Sequence, residues 1–272
     1  MSTLELKLED WDIHDHSTKD VVDEPQTGTA WGYSRTTDFR GTVVFNHLRD
    51  FLQPNANETL WDTVESISRI LPDAPTSMEA CITGDIILEI AEQIPWHHPS
   101  QMKLAQIARV LTTSSKLSYN SQTRQRGERF GISLSEAYDI GPNPDKPQEW
   151  PNKMAFYAHL SALSCLPHDH EFAFKALRDA FQVRDVTWGP PFKGEQDQHV
   201  LAAAQFILWD GLETFKQIRA GDIDVDELSL KGWKFYQKGF EDVENTNLGE
   251  ECKTVAKKAA NLMATIEESL TF

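Results

Sequence analysis

Cysteine is scarce in this chain. Cys81, Cys165 and Cys252 are far apart among 272 residues, odd in number and without Cys-x-x-Cys spacing. That pattern excludes a zinc ribbon and argues against a disulfide framework. Each lies in an apolar-periodic stretch and reads as a small buried residue. Basic residues are short as well: 26 Lys and Arg stand against 42 Asp and Glu, a net charge of −16. A binder of the phosphate backbone needs a basic face, so no nucleic-acid partner is expected. An anionic membrane surface is equally unsuited. No run approaches the roughly 18 apolar residues of a membrane span. Residues 1–12 alternate apolar and acidic side chains, with neither a basic start nor an apolar run. No secretory signal is expected, and the chain reads as cytoplasmic.

The familiar catalytic motifs are missing too. No Gly-x-Gly-x-x-Gly opens a helix, and there is no Gly-x-x-x-x-Gly-Lys-Ser/Thr, no Gly-x-Ser-x-Gly and no His-Glu-x-x-His. The acidic positions near the predicted helices, such as Asp210 and Glu213, do not make a dense aspartate cluster, which disfavours magnesium-dependent diphosphate ionisation. No cofactor and no metal are expected.

What the chain does contain is helical periodicity. Val44, His47, Leu48 and Phe51 recur at three and four, as do Leu60, Trp61, Val64, Ile67, Ile70 and Leu71, with Asn57 as the expected cap and Pro72 and Pro75 as the stop. A helix from about Met78 to Ile94 carries Cys81, Ile82, Ile86, Ile87, Ile90 and Ala91 and is stopped by Pro95. Gly84 weakens it by roughly 1 kcal/mol relative to Ala. Ser100 is the expected N-cap of the next helix, with Leu104, Ile107, Ala108 and Leu111 inward. Residues 112–149 hold Pro142, Pro144 and Pro147 and little period, so a long polar loop is expected there, with one helical turn at Leu134 to Tyr138. Helices follow from Trp150, with Pro151 in its first turn, and from Asp169 as cap. The longest runs from Glu195 to Ile218, its apolar width implying burial on more than one side, and Gly221 is its expected C-cap. The last two are Leu230 to Phe240 and Glu250 to Leu270. Alternating strands and fixed repeats do not stand out. The expectation is an all-α protein: an irregular or orthogonal bundle of about eight or nine helices, with a weakly structured arm at 1–40 and one domain at 41–272.

Among polar residues inside this pattern, histidine draws most notice, because its pKa is readily tuned near neutrality. His14 and His16 fall in the arm. His168-Asp169-His170 suggests a metal, but residues two apart on a helix point in different directions, and Asp169 as a cap explains the triplet. His97 and His98 sit between Pro95 and Pro99 beside Trp96, where at most one can face a pocket. His159 lies inside an apolar helix. His98 and His159 are therefore the acid–base candidates, each with an alternative reading as a structural histidine. Trp61, Trp96, Trp150, Trp209 and Trp233 fall on or beside helices, where they pack a core or line a pocket for an apolar ligand. Asp210, beside Trp209 in the longest helix, must be paired, exposed or functional.

Four blocks carry a resemblance. They are Ile94-Pro95-Trp96-His97-His98-Pro99-Ser100-Gln101 with Lys103-Leu104; Trp150-Pro151-Asn152 with Ala155-Phe156 and Leu160; Ala203 to Trp209; and Trp233-Lys234-Phe235-Tyr236 followed by Ala259 to Met263. In this order and spacing, over about residues 40 to 270, the chain resembles the fungal domain of unknown function 3632 family. The resemblance implies a small all-α cytosolic protein from filamentous fungi. For members inside secondary-metabolite gene clusters it implies an accessory enzyme acting on a hydrophobic intermediate. The family supplies no catalytic residues to carry over.

Two functions are open at this point. One is a metal-free, cofactor-independent cyclase or isomerase of a terpenoid or polyketide intermediate, including a pericyclic step of the Diels–Alder kind. Such a step needs chiefly a held conformation, which contributes up to about 7–11 kcal/mol in ideal cases. Trp96, Trp150, Trp209 and Asp210 would then shape the substrate pocket, and His98 or His159 would be the polar handle. The other is a non-enzymatic all-α interaction or regulatory protein, for which the acidic surface and the long polar loop also suit. A deep apolar pocket with one or two convergent polar groups favours the first, and a filled core with an exposed apolar patch favours the second.

Overall fold

The computed structural model describes residues 3–8, 39–72, 77–114, 130, 133–134, 141–165, 169–182, 191–220 and 229–270, with backbone alone at 169 and 170. The described residues contain nine α-helices and no strand. They are α1 (Gly41–Leu52), α2 (Leu60–Ile70), α3 (Met78–Gln93), α4 (Ser100–Thr113), α5 (Glu149–Ala162), α6 (Asp169–Phe181), α7 (Glu195–Ala220), α8 (Leu230–Asp242) and α9 (Glu250–Leu270). The fold class is all-α, as the three-and-four spacing requires. No helix among the described residues is long and apolar enough to cross a membrane. The chain groups into two compact units, Met1–Ile94 with Met102–Asp139 and Pro95–Gln101 with Ile140–Phe272.

In the first unit, α1 packs on α2 and α3. The boundaries follow local chemistry. Thr59, not Asn57, caps α2: its hydroxyl accepts from the Asp62 N–H at 3.2 Å while its own N–H donates to the Asp62 carboxylate at 3.1 Å. A reciprocal pair satisfies two end groups at once, which a lone Asn two residues earlier does not. Leu71 ends the helix in extended backbone, the conformation that a following proline imposes. Helix α3 is buried around much of its girth, with Ile86, Ile87, Ile90 and Ala91 fully enclosed. Gly84 on α3 has a purpose beyond its cost. A Cβ there would lie 2.7 Å from the Ser133 hydroxyl, and Ser133 with Phe130 and Leu134 is buried beside it. Ser133 donates to Asp85 on the same face. The helical turn expected at Leu134 to Tyr138 shows Leu134 in helix, and its remainder lies outside the described residues.

In the second unit, α7 is central. It packs most extensively on α5, then on α9 and α6, and less on α8. Its residues 200–207 are all buried, and Ala202-Ala203-Ala204 provides the small side chains that let neighbouring helices close on several sides. Helix α5 is equally enclosed, from Trp150 to Ser161. It closes with Ser164 at φ +52° and a Cys165 N–H donated to the Leu160 carbonyl at 3.0 Å, a left-handed cap usually given to glycine.

Three further expectations are corrected. Ser100 is the first residue of α4 rather than its cap. Cys81 and Cys165 are half-buried, and only Cys252 belongs to the core, where burial pushes its thiol up to about 12. Trp61 does not pack in the core but is 67% exposed on the outer face of α2. His14, His16, Pro75, His168 and Gly221, and the side chains of Asp169 and His170, lie outside the described residues.

Candidate functional site

All six candidate residues belong to the second unit, but they gather at two places along α5. The first holds Trp96, His98 and Trp150. Asn152 joins them: its Oδ1 accepts the Trp96 N–H at 2.8 Å, and its carbonyl accepts from Gln101 Nε2 at 3.1 Å. The Trp96–Gln101 joint is thus docked on the first turn of α5. Within it, His98 Nδ1 accepts the Ser100 N–H at 3.2 Å, so one face of the imidazole is committed to the backbone. Trp150 is buried, and the Lys153 ammonium, itself buried, lies 5.8 Å from its ring centroid, within cation–π range.

The second place lies at the other end of α5. His159 follows Trp150 by nine residues, about 13 Å along the axis, so the two groups cannot act on one reacting atom. Here α5 faces α7. The His159 ring lies 4.5 Å from the Trp209 ring, centroid to centroid. Ser161 donates to Asp210 Oδ2 at 2.6 Å, and Thr214 donates to the same oxygen at 3.4 Å. Among the described residues, Asp210 Oδ1 has no hydrogen-bond partner, and neither does the buried His159 Nδ1. Trp209 is 43% exposed, yet its indole is oriented from behind: Nε1 donates to Gln205 Oε1 at 3.3 Å, and Gln205 Nε2 donates to the Leu201 carbonyl at 3.1 Å.

Burial sets the electrostatics. It lowers the His159 imidazole to about 4, so the ring is neutral at physiological pH. It raises the Asp210 carboxyl to about 6; the Ser161 and Thr214 hydroxyls oppose the rise, and Glu213 adds to it. Trp209 therefore has a neutral imidazole packed against its ring and, as the next residue of α7, a carboxyl that takes or gives a proton near neutrality. Ser161 donates to Asp210 rather than to His159, so the three residues do not form a nucleophilic relay. No three His, Cys, Asp or Glu side chains among the described residues gather to hold a metal ion.

Ser161, Thr214 and Gln205 escaped the sequence reading. Thr214 and Gln205 stand four residues from Asp210 and Trp209, on the same helix faces, and that spacing was the available signal. Ser161 meets Asp210 only through the α5–α7 packing. Two clefts of this unit lie elsewhere, toward the start of α7. One of about 390 Å³ is lined by Phe181, Gly239, Val243 and Leu248. One of about 590 Å³ is lined by Phe192, Glu195, Asp197, His199 and Gly249. Glu195 in the larger cleft and Val200 in the smaller precede Asp210 by fifteen and ten residues, about 22 and 15 Å of helix, so the clefts and Asp210 are separate features.

No curated protein and no solved structure matches the chain. A family model described as protein of unknown function (DUF3632) matches residues 85–251, a span that contains the Trp96 joint, α5 and α7. That span is more than half of the chain, and the chain belongs to the DUF3632 family.

Proposed function

We propose that the chain is a cofactor-independent enzyme that cyclises or isomerises a hydrophobic terpenoid or polyketide molecule at the His159–Trp209–Asp210 face of α5 and α7. The observation that carries this reading is the half-exposed Trp209 indole, packed on the neutral His159 ring and followed in α7 by the buried Asp210 carboxyl, which burial raises to about 6. Environments that push paired groups apart in pKa mark acid–base assignments. Asp210 is the proton donor or acceptor, through the oxygen that Ser161 and Thr214 leave unengaged. Neutral His159 offers a hydrogen bond without a competing charge, and Trp209 supplies an apolar wall. General acid–base help of this kind contributes about 10²–10⁴-fold, whereas orientation of a flexible apolar chain contributes more in favourable cases. Loss of Asp210 should therefore slow the reaction without abolishing it.

A panel of unsaturated terpenoid and polyketide ketones incubated with the purified chain should yield a product of unchanged mass, since cyclisation and isomerisation conserve composition. Asp210→Asn should cut that turnover by about 10²–10⁴-fold and remove the pH dependence centred near 6. No mass-neutral product across the panel would overturn the reading, as would wild-type turnover in Asp210→Asn. A second reading, a non-enzymatic interaction protein, is favoured by the exposure of Leu212, Leu230 and Phe235 together with Trp209 in the same unit. Large apolar groups left on a surface mark contact sites when they are contiguous.

A further inference from the structure

The first unit carries an arrangement that the helical packing does not require. Residues 3–8 run along it, and their exposure alternates: Thr3, Glu5 and Lys7 are exposed, Leu4 and Leu8 are half-buried, and Leu6 is buried. That period of two is the mark of an extended segment. Two glutamines hold it. Gln53, the C-cap residue of α1, accepts the Leu4 N–H at 3.0 Å and donates to the Leu4 carbonyl at 3.3 Å. Gln93, the last residue of α3, accepts the Lys7 N–H at 2.8 Å and donates to the Lys7 carbonyl at 2.7 Å. Each amide is aimed in the same way, because each Nε2 also donates to the carbonyl four residues back, Arg49 for Gln53 and Glu89 for Gln93, at 3.1 Å in both cases.

Each glutamine thus presents a donor and an acceptor side by side, as a neighbouring strand would. In an extended chain, residues three apart turn their N–H and C=O to opposite edges, so the two amides grip the segment from both sides. Both clamps touch main chain alone, so they read no side chain at positions 4 and 7. Between them Leu6 is the one side chain of the segment that is buried. Main-chain hydrogen bonds for affinity with a pocket for alternate side chains is the logic of strand-addition peptide recognition.

We propose that Gln53 and Gln93 form a main-chain clamp for an extended peptide with leucine at alternate positions, that Leu4–Leu8 is its resident occupant, and that a partner segment of the same chemistry takes its place. The resident segment is covalently attached, so it competes at an effective concentration of order millimolar. A free peptide therefore meets a filled site in the wild-type chain and an open one only when the resident is disabled.

The test uses the full chain with Leu6→Asp, which places a charge where the leucine is buried and so ejects the segment. The probe is a fluorescein-labelled synthetic peptide of residues 2–10, followed by anisotropy. It should bind the Leu6→Asp chain at least about tenfold more tightly than the wild type. Adding Gln53→Ala and Gln93→Ala should weaken that binding by about tenfold or more, the loss expected when several main-chain hydrogen bonds go. A peptide carrying the same Leu6→Asp change should not bind. Three results would overturn the proposal: no saturable binding to a Leu6→Asp chain that still melts cooperatively, binding indifferent to Gln53 and Gln93, or a wild-type dimer that Leu6→Asp dissolves, since the occupant would then be a second copy. Hydrogen exchange on the wild type decides the matter independently of any variant. The Leu4 and Lys7 amides should exchange through a local opening, with far less protection than α1 and α3. Exchange of those amides only on global unfolding would make the segment a permanent part of the core.

Discussion

At the scale of single residues, His159 and Asp210 make opposed contributions to stability. Asp210 titrates near 6 in the folded chain and near 3.8 when exposed, so between those values the folded state holds more protons and stability falls as pH rises. His159 titrates near 4 in the folded chain and near 6.5 when exposed, so between those values the unfolded state holds more protons and stability rises with pH. Each shift of about two units corresponds to roughly 3 kcal/mol, and the windows overlap from about 4 to 6. The wild type should therefore show a shallow pH dependence there. Urea melts at pH 4.5, 5.5 and 7.5 should show Asp210→Asn losing stability on acidification, with the histidine effect uncovered. His159→Gln should instead lose stability as pH rises. Variants that track the wild type would remove both assignments. His98 is a simpler case. His98→Ala deletes the acceptor of the Ser100 N–H and should cost about 1 kcal/mol. His98→Asn should recover most of that, because an Asn oxygen accepts from the backbone two residues on. A deficit in the Asn variant equal to that in the Ala variant would count against the backbone role.

At the scale of the elements, the glycines show where packing overrules propensity. Replacing a helical glycine by alanine gains about 1 kcal/mol in an exposed helix. At Gly84 the new Cβ would sit 2.7 Å from the Ser133 hydroxyl and 3.2 Å from the Phe130 carbonyl. At Gly239 it would sit between 2.7 and 3.1 Å from three atoms of the Phe181 ring, which already packs edge-on against Phe240 at 4.6 Å. Overpacking of that kind costs about 1–3 kcal/mol, so the clash wins. Thermal melts of Gly84→Ala and Gly239→Ala should show net destabilisation, and a gain at either site would mean that the neighbour yields freely. Sequence periodicity located α3 and α8, but it showed Gly84 only as a weakness. Ser133 docks there from 49 residues away, and local spacing does not report so distant a partner.

At the scale of the whole molecule, the excess of 16 negative charges is the dominant long-range term. Ion pairs such as Lys238 with Asp242 at 2.7 Å and Arg69 with Glu65 at 2.6 Å join exposed side chains within one helix, so they relieve little of the net repulsion. Screening should help: raising sodium chloride from 0.02 to 0.5 M shortens the Debye length from about 20 Å to about 4 Å. The melting temperature at pH 7.5 should rise by a few degrees across that range. A fall would show that local ion pairs outweigh the net field.

Spacing at three and four, proline stops and the composition of the four blocks determined the all-α class, most helix ends and the family. These are properties of neighbours within a few residues, where backbone sterics and end-group satisfaction act. His159, Trp209 and Asp210 were legible one at a time as polar or aromatic groups in apolar helices. That His159 meets Trp209 and Ser161 meets Asp210, while Trp96, His98 and Trp150 gather at the other end of α5, was decided by the packing of α5 on α7, which joins Ser161 to Asp210 across 49 residues. The Gln53 and Gln93 clamp was invisible for the same reason. A glutamine at a helix end is an unremarked polar residue until the fold lays an extended segment of its own chain, 49 and 86 residues distant, across its amide.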